Sequence, residues 1–255
     1  MEEQLVSIVT PMYNGAKYVA LTIESVLAQN YPHWEMIIVN DGSKDNGPEI
    51  VEQYVAKDSR IQLIHQPNGG SASARNNGIR LAKGRYLCLL DSDDVWEPFF
   101  LESQLALLAE KHCLLVYGSH KRINEEGEEC LKPFHAPRKE TYQKLLFANS
   151  ISCLTAMYDS SVFGKFYLNE SLRSIRDDYA FWLSILKKVG VAYGNPRLVG
   201  SYRVMTNSTT GNKKKLVKPH FLFLYRVEKL GLILSVFYTF TWALSGFIKY
   251  VILKK

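Results

Sequence analysis

The sequence predicts an α/β fold: a mostly parallel sheet with helices on both faces. Two observations carry that expectation. Short apolar, β-rich runs alternate with segments of helical periodicity through residues 5–119, and such alternation implies right-handed crossovers between parallel strands. The strand-like runs are also apolar at nearly every position rather than at every second one, which suits strands covered on both faces.

Each element has its own signal. Leu5 to Thr10 reads as a strand stopped by Pro11, and Tyr18 to Gln29 carries apolar residues at helical spacing. Trp34 to Asn40 is a second strand, followed by the turn Asp41-Gly42-Ser43 and a helix over Pro48 to Ala56. Ile61 to His65 is a third. Ser71 or Ser73 is expected to cap a helix running to about Lys83, ended by Gly84, before the apolar strand Arg85 to Leu90 and a helix over Pro98 to Lys111. From about Cys113 the alternation loosens, with a charged turn at Asn124 to Glu129 and a proline-bearing stretch at Pro133 to Glu140. The clearest element beyond is a helix beginning near Ser174. There Ser174-Ile175-Arg176-Asp177 has capping-box character, and Phe181, Trp182, Ile185, Leu186 and Val189 form an apolar face. The expected organisation is a domain over 1–215, with a nucleotide-binding half at 5–119 and an acceptor-side half at 120–215, and a helical tail over 216–255.

At 255 residues the chain can bury a sizeable core, and 47% hydrophobic with 22% charged residues excludes disorder. The net charge of +6 is concentrated late, in Lys213-Lys214-Lys215, Lys218 and Lys254-Lys255, around an apolar segment, so anionic lipid or a nucleotide diphosphate suits it as counter-charge. A nucleic-acid partner is not expected: no reader motif and no basic residues interleaved with exposed aromatics occur. Cys88, Cys113, Cys130 and Cys153 form no CxxC pair or zinc spacing and fit reduced thiols in a reducing compartment. The acidic start Met1-Glu2-Glu3-Gln4 lacks the basic and apolar regions of a secretory signal, so a cytoplasmic catalytic domain is expected.

Polar residues fall just past the ends of three expected strands: Thr10, Asp41, and Asp91 with Asp93. In open α/β sheets ligands bind in the crevice at the carboxyl ends of the strands, so residues distant in sequence converge there. Asp91-Ser92-Asp93-Asp94 places three carboxylates in four residues. Their mutual repulsion is relieved by a cation, and Mg²⁺ or Mn²⁺ takes a few carboxylates together with phosphate oxygens. The plain alternative is an acidic turn in which Asp94 caps the helix that follows.

Four segments in register resemble family 2 glycosyltransferases: Val6-Ser7-Ile8-Val9-Thr10-Pro11-Met12-Tyr13-Asn14, Ile37-Ile38-Val39-Asn40-Asp41-Gly42-Ser43, Ala74-Arg75-Asn76-Asn77-Gly78 and Leu90-Asp91-Ser92-Asp93-Asp94. The likeness spans about residues 5–210 and extends to Arg176-Asp177-Asp178-Tyr179-Ala180-Phe181-Trp182. It implies a GT-A fold and inverting transfer from a nucleotide-sugar donor, a UDP-sugar above all, to an acceptor hydroxyl. By that resemblance Thr10, Pro11 and Tyr13 line the nucleotide pocket, Asp41 hydrogen-bonds the base and Arg75 contacts the nucleotide. Asp91 and Asp93 match the DXD motif, Asp91 at the ribose or a metal-bound water and Asp93 on the Mn²⁺ or Mg²⁺. Asp178 matches the general base.

Chemistry alone leaves Asp178 open between a base, kept ionised by the helix dipole, and a stabilising acid of a first turn, with Asp177 as cap. The family often has Glu-Asp here, and Asp177 is the shorter acid at the acceptor side. Trp182 has two readings, stacking on an acceptor sugar or packing in the core. So does Arg203, near the diphosphate or on the surface. Leu230 to Ile248 carries no formal charge and has the length of a minimal bilayer span. Its aromatic and lysine flanks also suit a helix lying on the inner face of the membrane, bringing the enzyme to a lipid-linked saccharide acceptor, or a surface for a partner subunit. Rival functions are a nucleotidyltransferase making the sugar nucleotide, whose glycine-rich loop Gly15 alone does not supply, and a catalytically silent binding module.

Overall fold

A computed structural model of the chain describes residues 4–172, 176–205 and 213–253. In chain order the elements are β1 (Val6–Met12), α1 (Val19–Leu27), β2 (Trp34–Asn40), α2 (Gly47–Val55), β3 (Ile61–His65), α3 (Ser71–Leu81), β4 (Tyr86–Leu89), β5 (Val95–Trp96), α4 (Phe100–Lys111), β6 (Leu115–Ile123), β7 (Glu129–Phe134), β8 (Lys139–Thr141), α5 (Tyr142–Phe147), β9 (Met157–Asp159), α6 (Asp177–Val189), β10 (Val191–Arg203), α7 (Lys213–Leu222) and α8 (Gly231–Leu253).

The strands form one sheet in the order β3-β2-β1-β4-β9-β6-β10-β5, with β7 beside β6 and β8 beside β10. β1 to β4 pair in parallel, as do β6 and β10, while β9 joins the two groups by antiparallel pairing to β4 and β6. Side-chain alternation explains the continuous apolar runs. Val9, Ile37, Val39, Leu87 and Leu89 pack on one face with residues of α3, α5 and α6, and Ile8, Met36, Ile38 and Cys88 pack on the other with α1, α2 and α4. All four cysteines are free thiols, and Cys88 and Cys153 are buried.

Three local expectations change. β1 continues through Pro11 to Met12. Val9 O accepts from Leu90 N and Met12 O accepts from Asp41 N, so the backbone nitrogen of Pro11 points to the side that β4, paired only as far as Val9, has already left. Its missing N–H therefore costs the ladder nothing. α3 begins at Ser71 without a side-chain cap, preceded by Gly70 at φ +86°, a conformation that favours glycine. α6 begins at Asp177 behind Arg176 in the left-handed region, with no side-chain cap; Ser174 lies outside the described residues.

The C-terminal elements dock on the body. A wide helical turn at Phe223–Val227, following Pro219 inside α7, places Phe223 and Leu224 in the core cluster with α6. Phe147 of α5 meets the rings of Phe237 and Tyr238 of α8 at 6.1 and 5.0 Å. Among the described residues no helix is long and apolar enough to cross a membrane.

His120 of β6 is buried against Phe134 at 5.0 Å, and burial, then the charge of Arg122, push its pKa down to about 4. The folded state thus refuses a proton that the unfolded chain accepts below about pH 6.5. Stability linked to His120 is complete above that pH and is lost as pH falls toward 4, by about 2 kcal/mol at pH 5. Urea unfolding at pH 7.5 and pH 5 is expected to show a smaller difference in His120→Phe than in the parent.

Candidate active site

The carboxyl ends of β1, β2 and β4 open onto a cleft of about 710 Å³ lined by Pro11, Tyr13, Asp41, Arg75, Asp91 and Asp93, among others. Thr10 is not at its wall. It is fully buried within β1 and its hydroxyl has no partner among the described residues, so pocket lining begins one residue later. Tyr13, 54% exposed, stands at the rim as an open ring face.

Asp41 follows β2 and is held by the turn ahead of α3. Its Oδ1 accepts from Gln66 Nε2 (2.8 Å) and the Gly69 amide (2.7 Å), and Oδ2 accepts from the Gly70 amide (2.8 Å). Asn68 Nδ2 donates to the Asp41 carbonyl at 2.9 Å. These contacts fix the carboxylate at the floor of the cleft, where one further donor can reach it. Sequence reasoning did not find the Gly69-Gly70 support; its signal was a glycine pair placed before a helix.

The acid loop between β4 and β5 is split by environment. Asp91 Oδ1 accepts from Arg75 Nη2 at 2.5 Å. Asp94 is buried and its Oδ1 accepts from the Arg203 amide at 2.9 Å, so it ties the loop to β10 rather than capping α4. Asp93 forms no ion pair among the described residues, and burial, then the neighbouring Asp91, push its pKa up to about 6. A half-buried carboxylate raised in this way is relieved by a divalent cation, so the residues present fit Mn²⁺ or Mg²⁺. No cluster of three or more His, Cys, Asp or Glu side chains forms among the described residues, which suits an ion that completes its shell with water and phosphate oxygens.

Arg75 is the link between the two halves of the site. Its side chain is 8% exposed, and besides Asp91 it faces Asp177 Oδ2 through Nη1 at 3.7 Å. Burial works against its charge, and Asp91 with Asp177 outweighs that and holds it protonated. Asp177 also accepts from Ser71 Oγ at 3.3 Å; it is a partner of α3, not a helix cap. Beside it Asp178 is half-buried, and burial, then Asp177, raise its pKa. The expected dominance of the helix dipole is therefore reversed by desolvation. The raised pKa makes Asp178 a stronger proton acceptor.

Arg203 is buried, not a surface residue. Its Nε donates to Asp93 O (2.9 Å), Nη1 donates to Asn124 O (3.0 Å), and the guanidinium lies 4.4 Å from the Tyr18 ring. It sets the backbone of the acid loop. Trp182 is 1% exposed and meets Phe181 edge-on at 4.8 Å, so its indole is a core element with no face open to a sugar.

The sequence matches the family model described as glycosyl transferase family 2 over residues 7–174. It is 38% identical over 252 residues, 98% of this chain and 97% of the relative, to the putative teichuronic acid biosynthesis glycosyltransferase TuaG of Bacillus subtilis. It is 36% identical over 221 residues, 86% of this chain and 84% of the relative, to the UDP-Glc:alpha-D-GlcNAc-diphosphoundecaprenol beta-1,3-glucosyltransferase WfgD of Escherichia coli. Among solved structures, S. aureus TarS 1-349 in complex with UDP aligns with a TM-score of 0.68 at 20% identity, over 87% of this chain and 65% of that one. The mannosyltransferase PcManGT from Pyrobaculum calidifontis, in complex with GDP-Man and Mn²⁺, aligns with a TM-score of 0.62 at 15% identity, over 96% of this chain and 75% of that one. A GT-A sheet, an aspartate-lined cleft at its carboxyl edge and a family match over most of the chain lead to one conclusion: this protein belongs to glycosyl transferase family 2 and is a glycosyltransferase.

Proposed function

We propose that the enzyme transfers a sugar with inversion from a UDP-sugar to a hydroxyl of a lipid-linked saccharide, at the inner face of the cell membrane, in cell-surface polysaccharide or glycolipid synthesis. The observation that carries the reading is the buried Arg75, which joins Asp91 of the acid loop to Asp177 beside Asp178. Donor-side acids and an acid suited to proton abstraction thereby share one rigid connection.

In this reading Asp41 receives the uracil N–H at its remaining acceptor position, and Pro11 and Tyr13 flank the base. Asp91 serves the ribose. Asp93, with Asp91, would hold Mn²⁺ or Mg²⁺, which when bound supplies positive charge to the departing diphosphate. The acceptor hydroxyl attacks the anomeric carbon in line with that leaving group. As the new C–O bond forms and the bond to the diphosphate breaks, Asp178 takes the hydroxyl proton. Arg75 pairs with Asp177 and so fixes the neighbour of Asp178, and Asp177 lies toward the acceptor side. The UDP donor and the diphosphate-linked acceptor are those named for the WfgD relative, and the metal is that of the PcManGT complex.

α8 supports the membrane assignment because its burial is inverted. Leu232, Ile233, Val236, Phe237, Phe240 and Leu244 are 46–83% exposed and recur at helical spacing. Ser235 and Thr239 face inward, each hydroxyl donating to the carbonyl four residues earlier at 2.6 Å. A helix with an apolar outward stripe and basic neighbours such as Lys218 lies in a lipid interface.

The test is nucleotide release from a panel of UDP- and GDP-sugars by the purified full chain, with Mn²⁺ or Mg²⁺ and lipid-linked saccharides in vesicles. Turnover with a UDP-sugar that chelation stops and Asp93→Ala abolishes supports the reading. Donor binding without turnover, with every acceptor supplied, would make the protein a silent binding module.

A further inference from the structure

Arg176, which leads into the helix of the proposed base, carries a charge that the mechanism above does not use. Its backbone is left-handed, φ 66°, a conformation that costs a residue with a side chain roughly 1–2 kcal/mol. Something must hold it there. Its guanidinium carbon lies 4.3 Å from the centre of the Trp242 ring on α8 and 6.0 Å from the Tyr179 ring on α6. His220 of α7, 1% exposed, lies 4.5 Å from Trp242 and 5.7 Å from Tyr179. Rings of α6 and α8 thus flank one cation, and His220 of α7 packs against both rings.

Two of the guanidinium nitrogens, Nε and Nη2, are buried without a hydrogen-bond partner among the described residues, where the ring faces lie against the cation instead. His220 suits that environment because it stays neutral. Burial, then the charge of Arg176, push its pKa down to about 3. Arg176 also opens the helix that carries Asp178: its carbonyl accepts from the Ala180 amide at 2.9 Å, and Asp178, two residues along, is the opposite charge that acts on it.

We propose that Arg176 is a positioning residue for Asp178 and that Trp242 of the C-terminal helix holds Arg176 in place. The tail would then complete the catalytic site as well as dock the enzyme. The Arg176 carbonyl closes the first turn of α6 around Asp178, and the α8 ring keeps the strained residue before that turn from relaxing. The inference rests on the reading of Asp178 as the base.

The test measures steady-state nucleotide release in detergent, without vesicles, from the UDP-sugar that serves best in the donor panel. It compares the full chain with Trp242→Ala, Trp242→Phe, Arg176→Lys and, as a tail control, Tyr225→Ala. Loss of an arginine–indole contact of about 1–2 kcal/mol predicts a fall of roughly tenfold in kcat for Trp242→Ala. Donor KM should stay within about twofold, Trp242→Phe should recover most of the loss, and Tyr225→Ala should match the parent, since a cation–π contact needs only a ring face. Should Trp242→Ala fail to fold, Arg176→Lys decides, because it keeps the charge but not the planar stacking and is expected to lower kcat by about threefold or more. Parental kcat in Trp242→Ala, or no recovery in Trp242→Phe, or parental kcat in Arg176→Lys, overturns the proposal. A parent enzyme that releases nucleotide from no donor refutes the function instead.

Discussion

Asp178→Asn is expected to abolish sugar transfer while leaving donor binding intact. The substitution keeps the shape and removes the proton acceptor, and a positioned general base is worth about 10²–10⁴ in rate. Because Asp178 is half-buried in the first turn of α6 and does not line the donor cleft, UDP affinity should change by less than about threefold, a shift near the error of such comparisons. Folding should survive and even improve slightly. Burial and Asp177 both raise the Asp178 pKa, so the native state carries a cost for this charge that asparagine removes. Turnover measured with saturating donor, alongside UDP titration, separates the two effects. A matching fall in UDP affinity would place Asp178 in donor binding rather than in chemistry.

Arg75→Met is expected to damage the fold as well as activity. The buried guanidinium neutralises the buried Asp177 and the partly exposed Asp91, and removing one partner of a buried ion pair costs about 3–5 kcal/mol. At about 2–4 °C per kcal/mol for a chain of this size, the melting temperature should drop by roughly 10 °C. Thermal melts of the parent and the variant measure the drop, and an unchanged melting temperature would mean that the pairing of Arg75 with Asp91 and Asp177 contributes nothing to stability.

How much of this was legible in the sequence depends on range. The strands were readable because both faces of β1, β2 and β4 are buried, which leaves runs such as Met36-Ile37-Ile38-Val39 with no polar position. Asp41, Asp91 and Asp93 were readable for a related reason: a polar residue directly after such a run marks the carboxyl edge where ligands bind. Local signals failed where a distant partner decides. Ser174-Ile175-Arg176-Asp177 has the letters of a capping box, yet Arg176 adopts a left-handed conformation beside a tryptophan of α8, and Asp177 answers to Arg75 from α3. Asp94 looks like a helix cap by position, but β10 claims it through the Arg203 amide. Trp182 and Thr10 carry the residue types of a binding site, and only three-dimensional packing shows that both are buried away from the cleft. The tail is a mixed case: its apolar content was plain, whereas the inward placement of Ser235 and Thr239 required the helix to be docked.

The central claim is direct attack by an acceptor hydroxyl with Asp178 as base, and the anomeric configuration of the product tests it most directly. Proton NMR of the glycoside made from an α-linked UDP-sugar and the accepting lipid-linked saccharide should show a β linkage, the result of one in-line displacement. An α linkage would require a covalent intermediate or a different geometry and would contradict the account.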